Sequence, residues 1–223
     1  MAGGGKVTFD WAYTLDILPA LLNALVVTIQ ATLAGMALAL ILGLLWAVLR
    51  RSPQPAVRLP AAGLVAFIRS TPLLVQIYFL FFVLPGAGVV LSPFLTGVIA
   101  LGLHYSAYTA EVYRAGIEAV PKGQWEAARA LNLSPGHTWR AVILPQALPP
   151  VIPALGNYLV AMFKDSPLLA AITVTELLQT AKLIGAETFR YLEPLTLVGL
   201  LFLIISLLAS RLVHHLERRY GTV

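Results

Sequence analysis

From Ile17 to Leu49 the chain carries no charged side chain, and as a helix at 1.5 Å per residue this run would reach about 50 Å. A bilayer's hydrocarbon core is about 30 Å thick and needs about 20 apolar residues to cross. Such a helix therefore crosses with tilt or projects into water. Further runs follow, and charged residues are only 11% of the sequence, against about 25% in soluble domains. Mean hydropathy is +0.84. An integral membrane protein is the class these numbers select. The chain has no cysteine, which removes disulfides, thiolate metal sites and a cysteine nucleophile. A net charge of +5 could suggest nucleic acid, but the bases sit at the ends of apolar runs, as membrane topology requires. The opening "MAGGGKVTFDWAYTLD" has no apolar core of a signal peptide and reads as an extracytoplasmic tail, residues 1–16, whose glycines at 3–5 suggest flexibility. Residues 17–223 read as one transmembrane domain.

Five spans are expected, near Ile17–Leu49, Leu59–Leu84, Phe94–Ala115, Val151–Leu169 and Leu195–Val213. Arg50, Arg51 and Arg58 follow the first, Arg114, Lys122, Arg129 and Arg140 follow the third, and Arg211, Arg218 and Arg219 follow the last. The other side holds Lys6, Lys182 and Arg190. The positive-inside rule then puts the N-terminus outside and the C-terminus in the cytoplasm. "TELLQTAKLIGAETFRYLEP" reads as a polar excursion between the last two spans. The runs are continuous rather than alternating, so strands are not expected.

The cytoplasmic stretch, about residues 116–145, predicts two short helices at the membrane surface. Pro121 can open the first. Trp125, Ala128, Leu131 and Ala127 share one face, Glu126 and Arg129 another. Asn132 suits a left-handed helix stop. Ser134 can cap a second helix opened by Pro135, which Pro145 would end. On these grounds alone, an amphipathic interfacial segment with Glu126 paired to Arg129 on a solvated face is an equal reading.

"EAARALNLSPGHTWRAVILP" resembles the cytoplasmic coupling loop of ABC importer permeases, whose pattern runs Glu-Ala-Ala, three residues, Gly, nine residues, Ile-x-Leu-Pro. Here those positions are Glu126, Ala127, Ala128, Asn132, Val142, Leu144 and Pro145. Asn132 replaces the glycine with a residue that tolerates positive φ. "FIRSTPLLVQIYFLFFVLP", "LGNYLVAMFKDSPLLAAI" and "FRYLEPLTLVGLLFLIISLL" extend the likeness to the polar amino acid subfamily over nearly the whole chain. "HYSAYTAEVYRAGIEAVPKGQWEAARALNLSP" and "AKLIGAETFRYLEPLTLVGLLF" are similar to permeases assigned to ectoine and hydroxyectoine. The resemblance implies an all-α, type I importer permease with five spans in a bacterial inner membrane. It implies an ATPase subunit pair that binds ATP and Mg, a second permease identical or homologous to this one, and an extracytoplasmic solute-binding protein. It also implies that the helix carrying Trp125, Glu126, Ala127 and Ala128 docks on the ATPase.

The chain itself contains no phosphate-binding Gly-x-x-x-x-Gly-Lys-Ser/Thr motif, so no cofactor is expected in it. His104, His137, His214 and His215 are scattered, and no serine–histidine–acid spacing points to hydrolysis. A secondary transporter and a membrane enzyme are the rival classes. The first would need an ion site and inverted repeats, the second a catalytic set.

Two hexapeptides, "RSTPLL" at 69–74 and "KDSPLL" at 164–169, interrupt apolar runs in the same manner. An interior proline costs about 3 kcal/mol, and a charge at the centre of a span about 2.5–3.5 kcal/mol. Broken spans would avoid both, with Ser70 or Thr71 capping a helix from Pro72 and Asp165 or Ser166 capping one from Pro167. Exposed helix N-termini attract carboxylates, and Asp165 could meet a cationic group. The expected solute path is Arg69, Ser70, Thr71, Asn157, Lys164, Asp165 and Ser166, with Tyr105 and Glu111 as lesser candidates. The alternative places Arg69 near the cytoplasmic end, its head snorkelling to water, with Lys164 and Asp165 neutralising each other or lying near the outer surface where the fourth span ends.

Overall fold

A computed structural model describes residues 8–220, and every regular element among them is helical. Helix α1 covers Trp11–Leu49. It starts before Ile17 because the Asp10 carboxylate accepts hydrogen bonds from the backbone N–H groups of Ala12 and Tyr13, at 3.0 and 3.1 Å. The expected tail is thus helical from Trp11; residues 1–7, with Lys6 and the glycines at 3–5, lie outside the described residues.

Helix α2 spans Pro55–Ser70 and α3 spans Leu73–Tyr78, which continues as a π-helical turn, Phe79–Val83, and a 3₁₀ turn, Leu84–Ala87. The two halves bend by 106° at the first hexapeptide, so this run is broken as expected. The capping is different. Neither Ser70 nor Thr71 caps α3, and Pro72 precedes its first residue. Thr71 instead turns its hydroxyl back onto the Phe67 carbonyl at 3.0 Å, closing α2. Helix α4, Pro93–Glu118, opens with Ser92 accepting from the Leu95 N–H.

Helix α5, Lys122–Ala130, is followed by α6, Pro135–His137, a π-helical turn, Thr138–Ile143, and α7, Leu144–Asp165. Pro145 does not end the second surface helix. It falls in the first turn of α7, where a missing N–H costs least, and the chain runs on into the membrane. The second hexapeptide does not break its run either. After Asp165 the coil tightens to 3₁₀ geometry over Ser166–Ile172, with Pro167 in its opening turn and no side-chain cap. The break comes later, where Thr173 takes φ 64° and the axis turns by 47° into α8, Leu177–Thr188. The expected polar excursion is thus mostly helix, capped by Glu176, whose carboxylate accepts from the N–H groups of Leu178 and Gln179. Helix α9 covers Leu192–Tyr220.

By length and apolarity α1 and α9 qualify as spans singly, and the two bent pairs, α2 with α3 and the α6–α7 rod with α8, qualify jointly. Helix α4 does not qualify on that measure, yet it is the centre of the bundle. Leu101, Ala107 and Ala110 on it are fully buried. It lies close against α1 because small residues face it. A Cβ added to Gly43 would stand 2.0 Å from the Thr109 hydroxyl and 3.0 Å from the Ser106 carbonyl. Thr109 uses that proximity to donate to the Ala39 carbonyl at 2.9 Å. The main core gathers Met36, Leu73, Ile77, Leu101, Met162 and Leu169, so the leucines of the two hexapeptides meet inside one cluster. A second core joins α1, α8 and α9 through Leu21, Leu177 and Val198.

Candidate functional site

Two arrangements carry polar chemistry that packing alone does not require. The first is a seam through the bundle. His104, Tyr105, Tyr108 and Glu111 recur at one, three and three residues along α4, which puts them on one side of the helix. Tyr105 is 4% exposed, and its hydroxyl donates to Asp165 Oδ2 at 2.7 Å. Its ring centroid lies 6.1 Å from those of Tyr108 and Tyr158. Above the Tyr108 ring, at 5.5 Å, sits the Arg69 guanidinium. The two hexapeptides are therefore connected: Arg69, Tyr108, Tyr105 and Asp165 form a continuous chain of contacts.

Glu111 closes the seam. Its carboxylate takes Arg50 at 2.7 Å, Arg69 at 3.2 Å and Arg114 at 2.8 Å. Arg50 closes α1 and Arg114 lies one turn beyond Glu111 on α4, so Arg69 belongs to the end of the bundle where those helices finish. Gln76 braces the break beside it. Its amide nitrogen donates to the Ile68 carbonyl at 2.9 Å and the Thr71 hydroxyl at 2.7 Å, and its oxygen faces His104 Nδ1 at 3.2 Å. These bonds occupy backbone groups that the turn between α2 and α3 frees from their helices.

Of the expected path residues, the structure brings Arg69, Thr71 and Asp165 to the seam. Ser166 is fully buried and donates to the Phe163 carbonyl at 2.7 Å. Ser70 and Lys164 are exposed. Lys164 makes no ion pair with Asp165 among the described residues. Asn157 faces α9, where its amide reaches Glu217 at 3.5 Å. Gln76, His104, Tyr108 and Tyr158 were not among the candidates. The spacing of the α4 stripe was readable in the sequence; Gln76 and Tyr158 gave no signal there.

The second arrangement is an elbow on the surface. Helix α5 ends in a Schellman turn, with Leu133 N–H bonded to the Ala128 carbonyl and Asn132 N–H to the Arg129 carbonyl, both at 3.0 Å. Asn132 has φ 50°, as its place in the sequence suggested. Trp125 meets Trp139 edge to face, with centroids 5.3 Å apart, and Arg51 lies 5.6 Å over the Trp139 ring. Val120, Ile143 and Ala147 complete a small core below them. Ala128 is buried, whereas Leu131 is 73% exposed, outside the face assigned to it. Once the helix ends at Ala130, its periodicity no longer governs Leu131. Glu126 and Ala127 face outward, and no ion pair joins Glu126 to Arg129 among the described residues. Glu126, Arg129, Lys122, Arg51 and both tryptophans line a groove of about 500 Å³. Leu144 and Pro145 are exposed where α7 begins. Among the described residues, no group of three His, Cys, Asp or Glu is arranged to hold a metal.

An all-helical membrane bundle with broken helices, a polar seam and a rigid surface elbow is the class of a transport subunit. Residues 35–222 match the family model for the binding-protein-dependent transport system inner membrane component, and the chain belongs to that family. It is 52% identical over 92% of its length to a probable amino-acid ABC transporter permease, y4tG, of Sinorhizobium fredii (strain NBRC 101917 / NGR234), covering 88% of that protein. It is 36% identical to the glutamine transport system permease protein GlnP of Escherichia coli (strain K12), over 95% of this chain and 97% of the other. A solved amino acid ABC transporter superposes with a TM-score of 0.90 at 35% identity, over 96% of this chain and all of that one. The MetNI methionine transporter, at 20% identity and a TM-score of 0.67 over 93% and 99%, shares the fold. The chain is a permease subunit of an amino acid ABC importer, with the type I permease fold.

Proposed function

We propose that this permease admits a polar amino acid or a similar zwitterion, of which ectoine and hydroxyectoine are examples, driven by ATP hydrolysis in a separate ATPase subunit pair. A second permease, identical or homologous, and an extracytoplasmic binding protein complete the importer. Five spans follow if α4 crosses together with α1, α9 and the two bent pairs. On this reading the C-terminus lies in the cytoplasm and the N-terminus outside, which the basic ends support through the positive-inside rule.

The observation that carries the coupling role is the elbow. Trp125, Trp139 and the π-helical turn fix α5 to the start of α7, and α7 carries Asp165 at its far end. A push on Glu126 and Ala127 therefore passes along a continuous helical rod to the seam. Ala128 supports this from inside, Asn132 sets the turn, and Leu144 and Pro145 begin the rod. The ATPase pair would bind ATP and Mg and meet the outward face of α5. At the seam, Arg69 suits a solute carboxylate near the end of the bundle and Asp165 an ammonium group further along, so a zwitterion would meet the two hexapeptides in turn. Ser70, Asn157, Lys164 and Ser166 have lesser parts in this path, since their side chains face elsewhere or bond locally.

Reconstitution tests the reading. Proteoliposomes holding this permease and its ATPase should take up a labelled amino acid or ectoine with ATP inside, sensitively to vanadate. Ion-driven uptake by this chain alone would establish a secondary transporter and overturn the proposal.

A further inference from the structure

The proposed cycle leaves one face of α9 unused. Leu200, Leu203, Ile204, Leu207 and Leu208 recur along it at helical spacing, each 48–55% exposed. Arg211, His215 and Arg218 continue the same face at steps of three and four. From Leu200 to Arg211 the helix rises about 16 Å, close to half of a hydrocarbon core of about 30 Å. Arg211, His215 and Arg218 line a cavity of about 550 Å³ together with Leu207, Ser210 and His214. Among the described residues Arg211, His215 and Arg218 have neither an ion pair nor a hydrogen bond, while neighbouring His214 is held by Glu217 at 3.0 Å.

We infer that this face is a binding site for an anionic phospholipid. One acyl chain lies along the leucine stripe, and the phosphate sits among Arg211, His215 and Arg218. A guanidinium offers forked N–H donors that fit phosphate oxygens, and the apolar stripe is as long as one leaflet. That match selects a lipid over a soluble anion, which would have no use for the stripe. It also selects a lipid over a second copy of this chain, which would have to bring acidic groups to the same level. The inference rests on α9 crossing the bilayer and is independent of the solute carried.

Native mass spectrometry of the purified full chain, titrated with phosphatidylglycerol, phosphatidylcholine of the same acyl length, or inorganic phosphate, tests it. Phosphatidylglycerol should be retained at least tenfold better than phosphatidylcholine and should not be displaced by phosphate. Arg211→Gln should abolish the preference, Arg211→Lys should keep most of it, and Arg58→Gln, the same charge loss on α2, should leave it intact. Equal retention of the two lipids, or equal weakening by Arg211→Gln and Arg58→Gln, would overturn the site. Displacement by phosphate would assign a free anion instead. Cross-linking of a Leu207→Cys variant to a second copy would show that face to be a protein contact. Either result removes the lipid.

Discussion

Tyr105 donates its hydroxyl to Asp165 at 2.7 Å, and this one bond ties the centre of α4 to the end of α7. Through Tyr108 the same tyrosine reaches Arg69, so a group on either broken or tightened segment senses the other.

Removing the hydroxyl should therefore cost transport more than stability. A hydrogen bond to a charged group contributes about 1.5–3 kcal/mol. Tyr105→Phe is expected to slow uptake roughly tenfold or more in proteoliposomes, while ATPase assembly stays normal. Asp165→Asn keeps the shape and an acceptor and should mainly raise KM for a zwitterion. Wild-type kinetics in both variants would remove the seam from the path.

Glu111→Gln leaves three guanidinium groups around a neutral amide. The side chains are 20–45% exposed, which places the loss between surface pairs and buried ones, about 1–2 kcal/mol. A fall in Tm of several degrees in detergent is expected, and tryptic cleavage after Arg69 should accelerate as the break between α2 and α3 loosens.

At the elbow, Trp139→Ala removes the ring that Trp125 and Arg51 both contact. The ATPase should still copurify, because Glu126 and Ala127 are untouched, but ATP hydrolysis should no longer be matched by uptake. Glu126→Lys should have the opposite signature, losing copurification while the Trp125–Trp139 fluorescence is unchanged.

Gly43→Ala drives a methyl into Thr109 and the Ser106 carbonyl and should destabilise the α1–α4 contact by about 1–3 kcal/mol. Gly63→Ala meets nothing within 4 Å and, in a helix interior, should be neutral or stabilising by about 0.5–1 kcal/mol. Thermal melts of the two variants side by side decide this.

The opposite end of the bundle is acid-sensitive. The Asp10 carboxyl is held below its ordinary value of 3.8 by the Tyr13 N–H and by the Arg190 guanidinium. A depressed carboxylate adds stability above its unfolded pKa and loses it as pH falls through the folded one. The stability gap between wild type and Asp10→Asn should be full near neutral pH and shrink progressively as pH falls below the ordinary carboxylate value of 3.8, disappearing once the folded carboxyl is protonated. A gap that persisted there would show that capping by the uncharged side chain differs, rather than charge.

Much of the membrane layout was legible because apolarity and charge are additive along a chain. The run to Leu49, the positive φ at Asn132 and the cap at Ser134 were all readable from local chemistry. The likeness around Glu126–Pro145 marked the elbow. Prolines misled the reading twice. Pro145 looked like a stop and Pro167 like the start of a new helix after a break, yet each sits in an opening turn where its missing N–H matters little, so the coil passes through both. The Asp10 cap was missed because capping depends on φ and ψ at one residue rather than on hydropathy.

Sequence by itself determined that the chain is an all-helical membrane protein, where its apolar runs lie, and where a short helical surface segment interrupts them. Those properties follow from composition and spacing within one segment. Tertiary structure decided that Glu111 gathers Arg50, Arg69 and Arg114, that Gln76 braces the turn after α2, and that Asp165 answers to Tyr105 rather than to Lys164. Each of those partners lies on another helix or across a bend. Which polar groups meet inside an apolar bundle is fixed by how closely the helices approach, and that distance is set by small residues such as Gly43, whose sequence neighbours do not reveal what they face.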